Sequence, residues 1–332
     1  MGETIRWGMI GCGDVAEVKS GPAFRKARDS ELVAVMSRSK ERAQDYARRH
    51  GVPRWHDDAD AVLGADDVDA VYVATPTSSH HEYTLRCAAA GKPVYVEKPM
   101  AMTHRQCLDM IDACEAAGVP LWVAYYRRAL PRLLKVKELV DSGAIGDALL
   151  VRSERFEPTP TPEEAAWRLD PAIGGGGIFF EGVCHTLDFL DFLFGPVERV
   201  SGEATNEAWP YPGEDTVVAS YRFSSGVLGE GSWCFAANFR RQTDEIVGTA
   251  GQIRFSIAAP DPIVLTRGEH LEEVRIDDPP HVHQPLVQTI VDELNGSGRC
   301  PSTGASAART GWVTEQILAT FRARTGTVDA AS

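Results

Sequence analysis

The chain has 332 residues, 43% hydrophobic and 24% charged, a balance typical of soluble globular proteins and long enough for two domains with full cores. A formal net charge of −13 supplies no basic face for nucleic acid or an anionic membrane, and no apolar run nears the ~20 residues that cross a bilayer. Seven scattered cysteines without a C-x-x-C pair suit a reducing compartment and exclude a disulfide framework or zinc knuckle.

The first predicted strand, Ile5–Ile10, runs into Gly11-Cys12-Gly13-Asp14-Val15-Ala16, a G-x-G-x-x-A turn. Gly11 permits the tight strand-to-helix turn, Gly13 leaves room for a pyrophosphate, and Ala16 lets the helix pack closely on the sheet. The N–H groups of this turn, from Cys12 to Val15, open a helix and would carry the phosphates. Glycine-rich turns also occur without a ligand; the place of this one, after the first strand of a βαβ pattern, points to a dinucleotide. Because the N-terminus goes directly into a strand, the expected location is the cytoplasm.

The second strand, Leu32–Met36, ends at Ser37-Arg38-Ser39-Lys40, with Arg42 shortly after. An NAD-binding chain usually places Asp or Glu here for the ribose diol. Hydroxyls and cations suit a 2′-phosphate better, so Ser37, Arg38 and Arg42 point to NADP in preference to NAD. The alternative is that both arginines are solvated charges opening a helix.

Strands Ala70–Ala74, Val94–Glu97 and Leu121–Ala124 alternate with helices Lys40–Arg49, Ser79–Ala90 and Thr103–Ala117, the pattern of a parallel sheet covered on both faces. Ligands belong at the carboxyl ends of such strands. Thr75-Pro76-Thr77, with Ser78, Ser79 and His80 behind it, follows one strand, where Thr77 or Ser78 could equally cap the next helix. Glu97-Lys98-Pro99 follows another, with a lysine fixed by proline and aimed at the crevice.

Beyond Tyr125 the periodicity changes. Phe156–Pro162 is a stiff, proline-rich segment read as a loop over the crevice, leading through Trp167-Arg168 to Gly174–Gly177. A helix over Ile178–Asp188 would put Glu181 and His185 on one face, with Asp188 close to it and Phe180, Val183, Leu187 and Leu190 buried. A carboxylate and an imidazole so placed suit proton transfer, or else form a plain surface pair. Thr216–Phe223 and Val227–Phe235 read as a hairpin around Ser224-Ser225-Gly226, and Glu245–Thr249, Gln252–Ser256 and Ile263–Thr266 continue the strands. They suggest an open, mostly antiparallel sheet with one face left for a homodimer or tetramer. The close histidine pairs, His80-His81 and His281 with His283, have no matching carboxylate or thiol cluster, so no metal is expected. The tail at 329–332 consists of small residues.

The expected fold class is α/β: a Rossmann dinucleotide-binding domain over 1–125, then an α+β domain with a large, mostly antiparallel open sheet over 126–332. The turn at Gly11–Ala16, Thr75-Pro76-Thr77 with His80, Glu97-Lys98-Pro99, and the glycine run before His185 and Asp188 together resemble the glucose–fructose oxidoreductase / inositol dehydrogenase (Gfo/Idh/MocA) family over nearly the whole chain. The Glu-Lys-Pro tripeptide is the most specific element. The resemblance implies hydride transfer between a nicotinamide and a secondary hydroxyl or carbonyl of a sugar or cyclitol. It assigns Thr75, Pro76, Thr77, His80, Glu97 and Lys98 to the cofactor side, Lys98 to the motif lysine and His185 to the motif histidine. The family commonly has Asp four residues before that histidine; Glu181 stands here, one methylene longer.

In the implied site His185 takes the hydroxyl proton, Lys98 stabilises the same oxygen, and Glu181 orients His185 or binds a neighbouring hydroxyl. Tyr126, Arg128, Trp167 and Arg168 are substrate-side candidates, Trp and Arg matching the face and rim of a sugar; ordinary loop packing would equally explain Trp167. Two rival functions are NAD-assisted glycoside hydrolysis or elimination with retained cofactor, and a non-catalytic dinucleotide sensor. Joint presence of Lys98 and His185 argues against the sensor.

Overall fold

Six apolar runs form the first sheet: β1 (Ile5–Ile10), β2 (Ser30–Met36), β3 (Arg54–His56), β4 (Ala70–Val73), β5 (Val94–Val96) and β6 (Leu121–Val123). The structure, a computed structural model, describes residues 2–326; the small-residue end at 329–332 lies outside them. Every pairing is parallel, in the order β3-β2-β1-β4-β5-β6, the doubly wound arrangement whose order reverses between β1 and β4. Helices α1 (Gly21–Lys26), α2 (Lys40–His50), α3 (Asp60–Leu63), α4 (His80–Ala89) and α5 (His104–Ala117) connect the strands. Ser39 and Thr103 start α2 and α5 by accepting the backbone N–H of Arg42 and Gln106, the usual way a free first-turn donor is satisfied. Trp7, Phe24, Tyr72 and Tyr95 pack edge and face at 4.9, 5.1 and 5.0 Å between successive ring centres, an aromatic core whose contacts each contribute about 0.5–1.5 kcal/mol beyond area burial.

Strands β4, β5 and β6 each stop one residue short of the expected end. Ala74, Glu97 and Ala124 still donate backbone hydrogen bonds to Ile10, Val73 and Val96, so each remains anchored as it leaves the sheet. The helix expected from Ser79 is instead preceded by a 3₁₀ turn, Thr77–Ser79, and starts at His80 without a side-chain cap. Neither Thr77 nor Ser78 caps it.

The second sheet has eight strands: β7 (Ala148–Phe156), β8 (Val197–Thr205), β9 (Thr216–Phe223), β10 (Leu228–Cys234), β11 (Arg241–Gly248), β12 (Gln252–Phe255), β13 (Ile263–Arg267) and β14 (His270–Val274). Their order is β14-β13-β12-β11-β7-β10-β9-β8. All neighbours are antiparallel except β7 and β10. One face is buried, with Val217, Ala219, Tyr221, Phe223 and Trp233 pointing into it. The other carries Val218 and Leu228, 50% and 53% exposed. Helices α6 (Pro131–Asp141), α7 (Pro162–Ala165) and α8 (Cys184–Phe194) belong with this sheet. Phe156 closes β7 and Pro162 opens α7, where a missing N–H costs nothing; the residues between them are non-helical, as their prolines require.

The chain divides into two compact units. The first unit takes residues up to Leu130 together with Pro279–Ala308; the second takes Pro131–Asp278 and the chain from Arg309 onward. The reason lies at the edge strand β6, whose open side would otherwise expose unpaired backbone groups. Val123 donates to the Ser302 carbonyl at 3.2 Å, the Ser302 hydroxyl donates back to the Val123 carbonyl at 2.7 Å, and Trp122 bridges to Thr303 in antiparallel fashion. Helix α9 (Gln284–Leu294) adds Leu286, Val287, Ile290 and Val291 to the first unit's core, ahead of α10 (Gly304–Thr325). Among the described residues no helix is long and apolar enough to cross a membrane.

Candidate active site

At the end of β1, Gly11 has φ +108° and an added Cβ would lie 2.6 Å from the Ala74 carbonyl oxygen. Only glycine fits that close approach to the neighbouring strand. Gly13 is the opposite case: a Cβ there meets no atom within 4 Å. The turn therefore leaves a cradle open where a pyrophosphate would sit, and the residues fit a dinucleotide. Cys12 is buried, its thiol 3.6 Å from the Met36 carbonyl, and burial pushes its pKa up to about 12, with Arg42 and Arg49 opposing. Asp14 is exposed and Val15 half-buried.

Beyond Val15 the helix is wound as a π turn over Ala16–Ser20. π turns recur at functional sites. Lys19, exposed on this turn, is near enough to Glu97 and His283 to act electrostatically on both. At the end of β2, Ser37 is buried and its hydroxyl accepts the Ser39 N–H at 3.3 Å. Arg38 and Arg42 are exposed, and Arg42 reaches the Cys12 thiol electrostatically.

Two further strand ends converge in this unit. The Thr75 hydroxyl oxygen is buried without a hydrogen-bond partner. Pro76 is half-buried and Thr77 buried. His80 is almost wholly buried, with Nδ1 2.9 Å from the Pro99 carbonyl and Nε2 2.8 Å from the Thr75 carbonyl. It ties the Thr75 loop to the Lys98–Pro99 loop, a bracing role. Burial lowers its pKa, against the raising effect of those carbonyls.

Glu97 is 5% exposed. It accepts the Tyr72 hydroxyl at 2.6 Å on one oxygen and the Lys98 backbone N–H at 3.1 Å on the other. Burial raises its pKa, while Lys98 and Tyr72 pull it down. The carboxylate thus fixes the segment that carries Lys98, itself half-buried. His283 lies 3.8 Å from Glu97, with Nδ1 3.2 Å from the Tyr95 hydroxyl and its ring 4.7 Å from Tyr126. Burial, with Lys19 and Lys98 adding to it, lowers the His283 pKa to about 3. Tyr126 is 9% exposed; Arg128 is 3% exposed and donates to the Pro301 carbonyl at 3.2 Å. Arg128 therefore braces the returning segment at 301.

In the second unit the glycine run leads into a π turn, Phe179–Val183, and then α8. The expected single α-helix is thus corrected. Phe180, Val183, Leu187 and Leu190 are buried as expected, but so are Cys184, His185, Thr186 and Asp188. A helix buried all round is packed on every side: Phe179 meets Trp233 at 5.0 Å and Phe194 meets Phe223 at 5.3 Å. Glu181 is half-buried and its carbonyl accepts the Cys184 thiol at 3.2 Å. Trp167 is 40% exposed on a 3₁₀ turn, with the Arg168 guanidinium 5.8 Å from its ring.

Sequence reasoning missed Tyr72, Lys19 and His283 in the first unit. Only His283 had left a trace, its spacing from His281. Among the described residues no group of three or more His, Cys, Asp or Glu side chains could hold a metal ion.

Comparison with known proteins agrees with this fold. Residues 5–125 match the oxidoreductase family model with an NAD-binding Rossmann fold, and residues 133–254 match the GFO/IDH/MocA C-terminal domain. The chain is 37% identical to Oxidoreductase P35 of Formosa agariphila over 93% of its own length and 96% of that protein. It is 31% identical to 1,5-anhydro-D-fructose reductase of Ensifer adhaerens over 90% and 91%. Levoglucosan dehydrogenase, in complex with NADH and levoglucosan, has the same fold at a TM-score of 0.85 and 22% identity, covering 97% of this chain and 98% of that one. With a doubly wound sheet, an open glycine cradle and a braced Glu-Lys-Pro loop, the chain belongs to the Gfo/Idh/MocA family of NAD(P)-dependent oxidoreductases.

Proposed function

We propose that the protein moves hydride between NADP(H) and a secondary hydroxyl or carbonyl of a sugar or cyclitol. The observation that carries this reading is the Tyr72–Glu97–Lys98 arrangement beside the open cradle at Gly13. It holds a lysine rigidly at the carboxyl end of a parallel strand, where ligands of this fold bind. The bound nicotinamide supplies the hydride acceptor or donor. His185 takes the hydroxyl proton as general base, a role suited to imidazole near neutral pH. The Lys98 ammonium stabilises alkoxide character developing on the same oxygen. Glu181 orients His185 or accepts from a neighbouring hydroxyl. Trp167 and Arg168 offer an apolar face and a planar donor to a sugar ring.

The preference for NADP rests on Ser37, Arg38 and Arg42, which replace a strand-end carboxylate. A carbohydrate substrate is supported by the relative that acts on anhydrofructose. The outward face of the second sheet, with Val218 and Leu228 among the charges of Arg152 and Glu230, is the proposed surface for a homodimer or tetramer. Seven free cysteines support the cytoplasm as the compartment. The test is a panel of sugars and cyclitols with NADP⁺ and NAD⁺ separately, read by absorbance of the reduced cofactor. Reduction of NADP⁺ by one or more polyols is expected; binding of cofactor with no polyol oxidised, and no matching ketone reduced, would overturn the reading.

A further inference from the structure

Resting on the role given to His185, we propose that Glu214 is a positioning residue that sets the glycine run and so orients Glu181 and His185. Glu214 is 2% exposed. One of its oxygens accepts the Gly177 N–H and the other the Phe180 N–H, both at 3.1 Å. These donors stand at the head of the π turn, where N–H groups have no partner within the helix. Gly177 in turn accepts the Glu181 N–H on its carbonyl at 3.2 Å. One residue therefore links the Glu214 carboxylate to the backbone of Glu181, and the Cys184 thiol returns to the Glu181 carbonyl beside His185.

The glycine run is shaped around this carboxylate. A Cβ at Gly177 would lie 2.6 Å from the Glu214 carboxyl group and from its backbone oxygen. Arg322, 9% exposed, donates to the Gly175 carbonyl at 3.1 Å and lies 4.9 Å above the Phe180 ring. Burial raises the Glu214 pKa, with Arg322 and the two N–H groups opposing. A local Ser or Asp cap would satisfy one donor at less desolvation cost. Here a buried carboxylate from 34 residues downstream takes two. Its own segment is anchored: Asp215 donates to the Thr205 carbonyl at 2.9 Å and accepts the Glu207 and Ala208 N–H groups at 2.8 and 2.7 Å. The arrangement transfers the rigidity of the sheet to the segment that carries the proposed base.

The test is a double-mutant cycle of Glu214→Gln with His185→Ala, using the best substrate of the panel. Glu214→Gln should lower kcat by about 10- to 100-fold, the scale of a misplaced catalytic group, with the NADPH dissociation constant within twofold. Glu214→Asp, which keeps the charge, should recover part of the loss. In the His185→Ala background Glu214→Gln should cost less than about threefold more, because the group it positions is gone. A kcat within twofold of normal, or the same loss in both backgrounds, would overturn the proposal while leaving His185 in its role. Normal turnover in His185→Ala alone would remove that role, and this proposal with it. If Glu214→Gln does not fold, Glu214→Asp and Arg322→Lys carry the same cycle with the same criteria.

Discussion

Gly11 and Gly13 stand two residues apart in one turn, yet replacing each with alanine should give opposite phenotypes. At Gly11 the added methyl would sit 2.6 Å from the Ala74 carbonyl oxygen and 2.7 Å from its carbon, with the backbone at φ +108°. The left-handed conformation alone costs roughly 1–2 kcal/mol for an L residue, and relieving a backbone overlap adds strain comparable to overpacking, about 1–3 kcal/mol. Gly11→Ala should therefore lose about 2–5 kcal/mol of stability, several degrees of melting temperature at this chain length. At Gly13 the methyl meets nothing within 4 Å, so Gly13→Ala should melt within a degree or two of the parent. The same methyl occupies the space the pyrophosphate needs. Cofactor affinity should fall by about 100-fold, near 2.8 kcal/mol at ~1.4 kcal/mol per decade. Thermal melts without cofactor and NADPH titration by fluorescence separate the two quantities. If Gly13→Ala binds NADPH within twofold of the parent, the cradle has been misplaced.

Lys98→Met removes the charge but keeps most of the length, and turnover should fall by about 10²–10³; His185→Ala should cost ~10²–10⁴ and remove the lower limb of the pH–rate profile. Both should leave NADPH binding within a few-fold, and near-normal turnover in either would show that the chemistry lies on other residues. Ser37→Asp sets a carboxylate against the 2′-phosphate and should weaken NADPH more than NADH in paired titrations; equal dissociation constants in the parent would already count against NADP preference. His283 is held near a pKa of about 3 by burial, below the ~6.5 of an unfolded chain, so the unfolded state binds the extra proton first. Stability should fall as pH drops from 6.5 towards 3, by up to ~1.4 kcal/mol per unit, and denaturant melts of His283→Gln should lose much of that slope. Light scattering at micromolar concentration should give a dimer or tetramer, and a monomer there would leave the outward face of the second sheet without its proposed partner.

Legibility in the sequence followed how local each signal was. Leu32–Met36 and Val94–Val96 read as strands because parallel strands buried on both sides are continuous apolar runs. β7 escaped notice because its outward positions, Arg152 and Glu154, alternate with polar Ser153 and Arg155, which breaks the apolar pattern. β14 is an exposed edge with two glutamates, Glu272 and Glu273, and carries almost no apolar signal. The Glu-Lys-Pro loop could be read, but its support from Tyr72 and His283 could not, since those contacts join residues 25 and 186 positions apart. The hydrogen bond from Arg128 to the Pro301 carbonyl could not be read either, since it joins residues 173 positions apart. The π turn before His185 has no separate mark either, since its apolar spacing also suits an ordinary helix.

The returning segment has a consequence for how this chain is made. During synthesis the backbone edge of β6 stays bare until Ser302 and Thr303 have emerged, so the nascent first unit must wait while Pro131–Asp278 is translated. At ~5–20 residues per second that interval lasts roughly 10–30 s, long compared with the folding of most small domains. A gene cut after Leu130 would encode a sheet with an open strand edge, the kind that templates aggregation. Grafting this nucleotide-binding unit onto another protein would require both pieces, with the residues 279–308 supplied in cis or as a separate peptide.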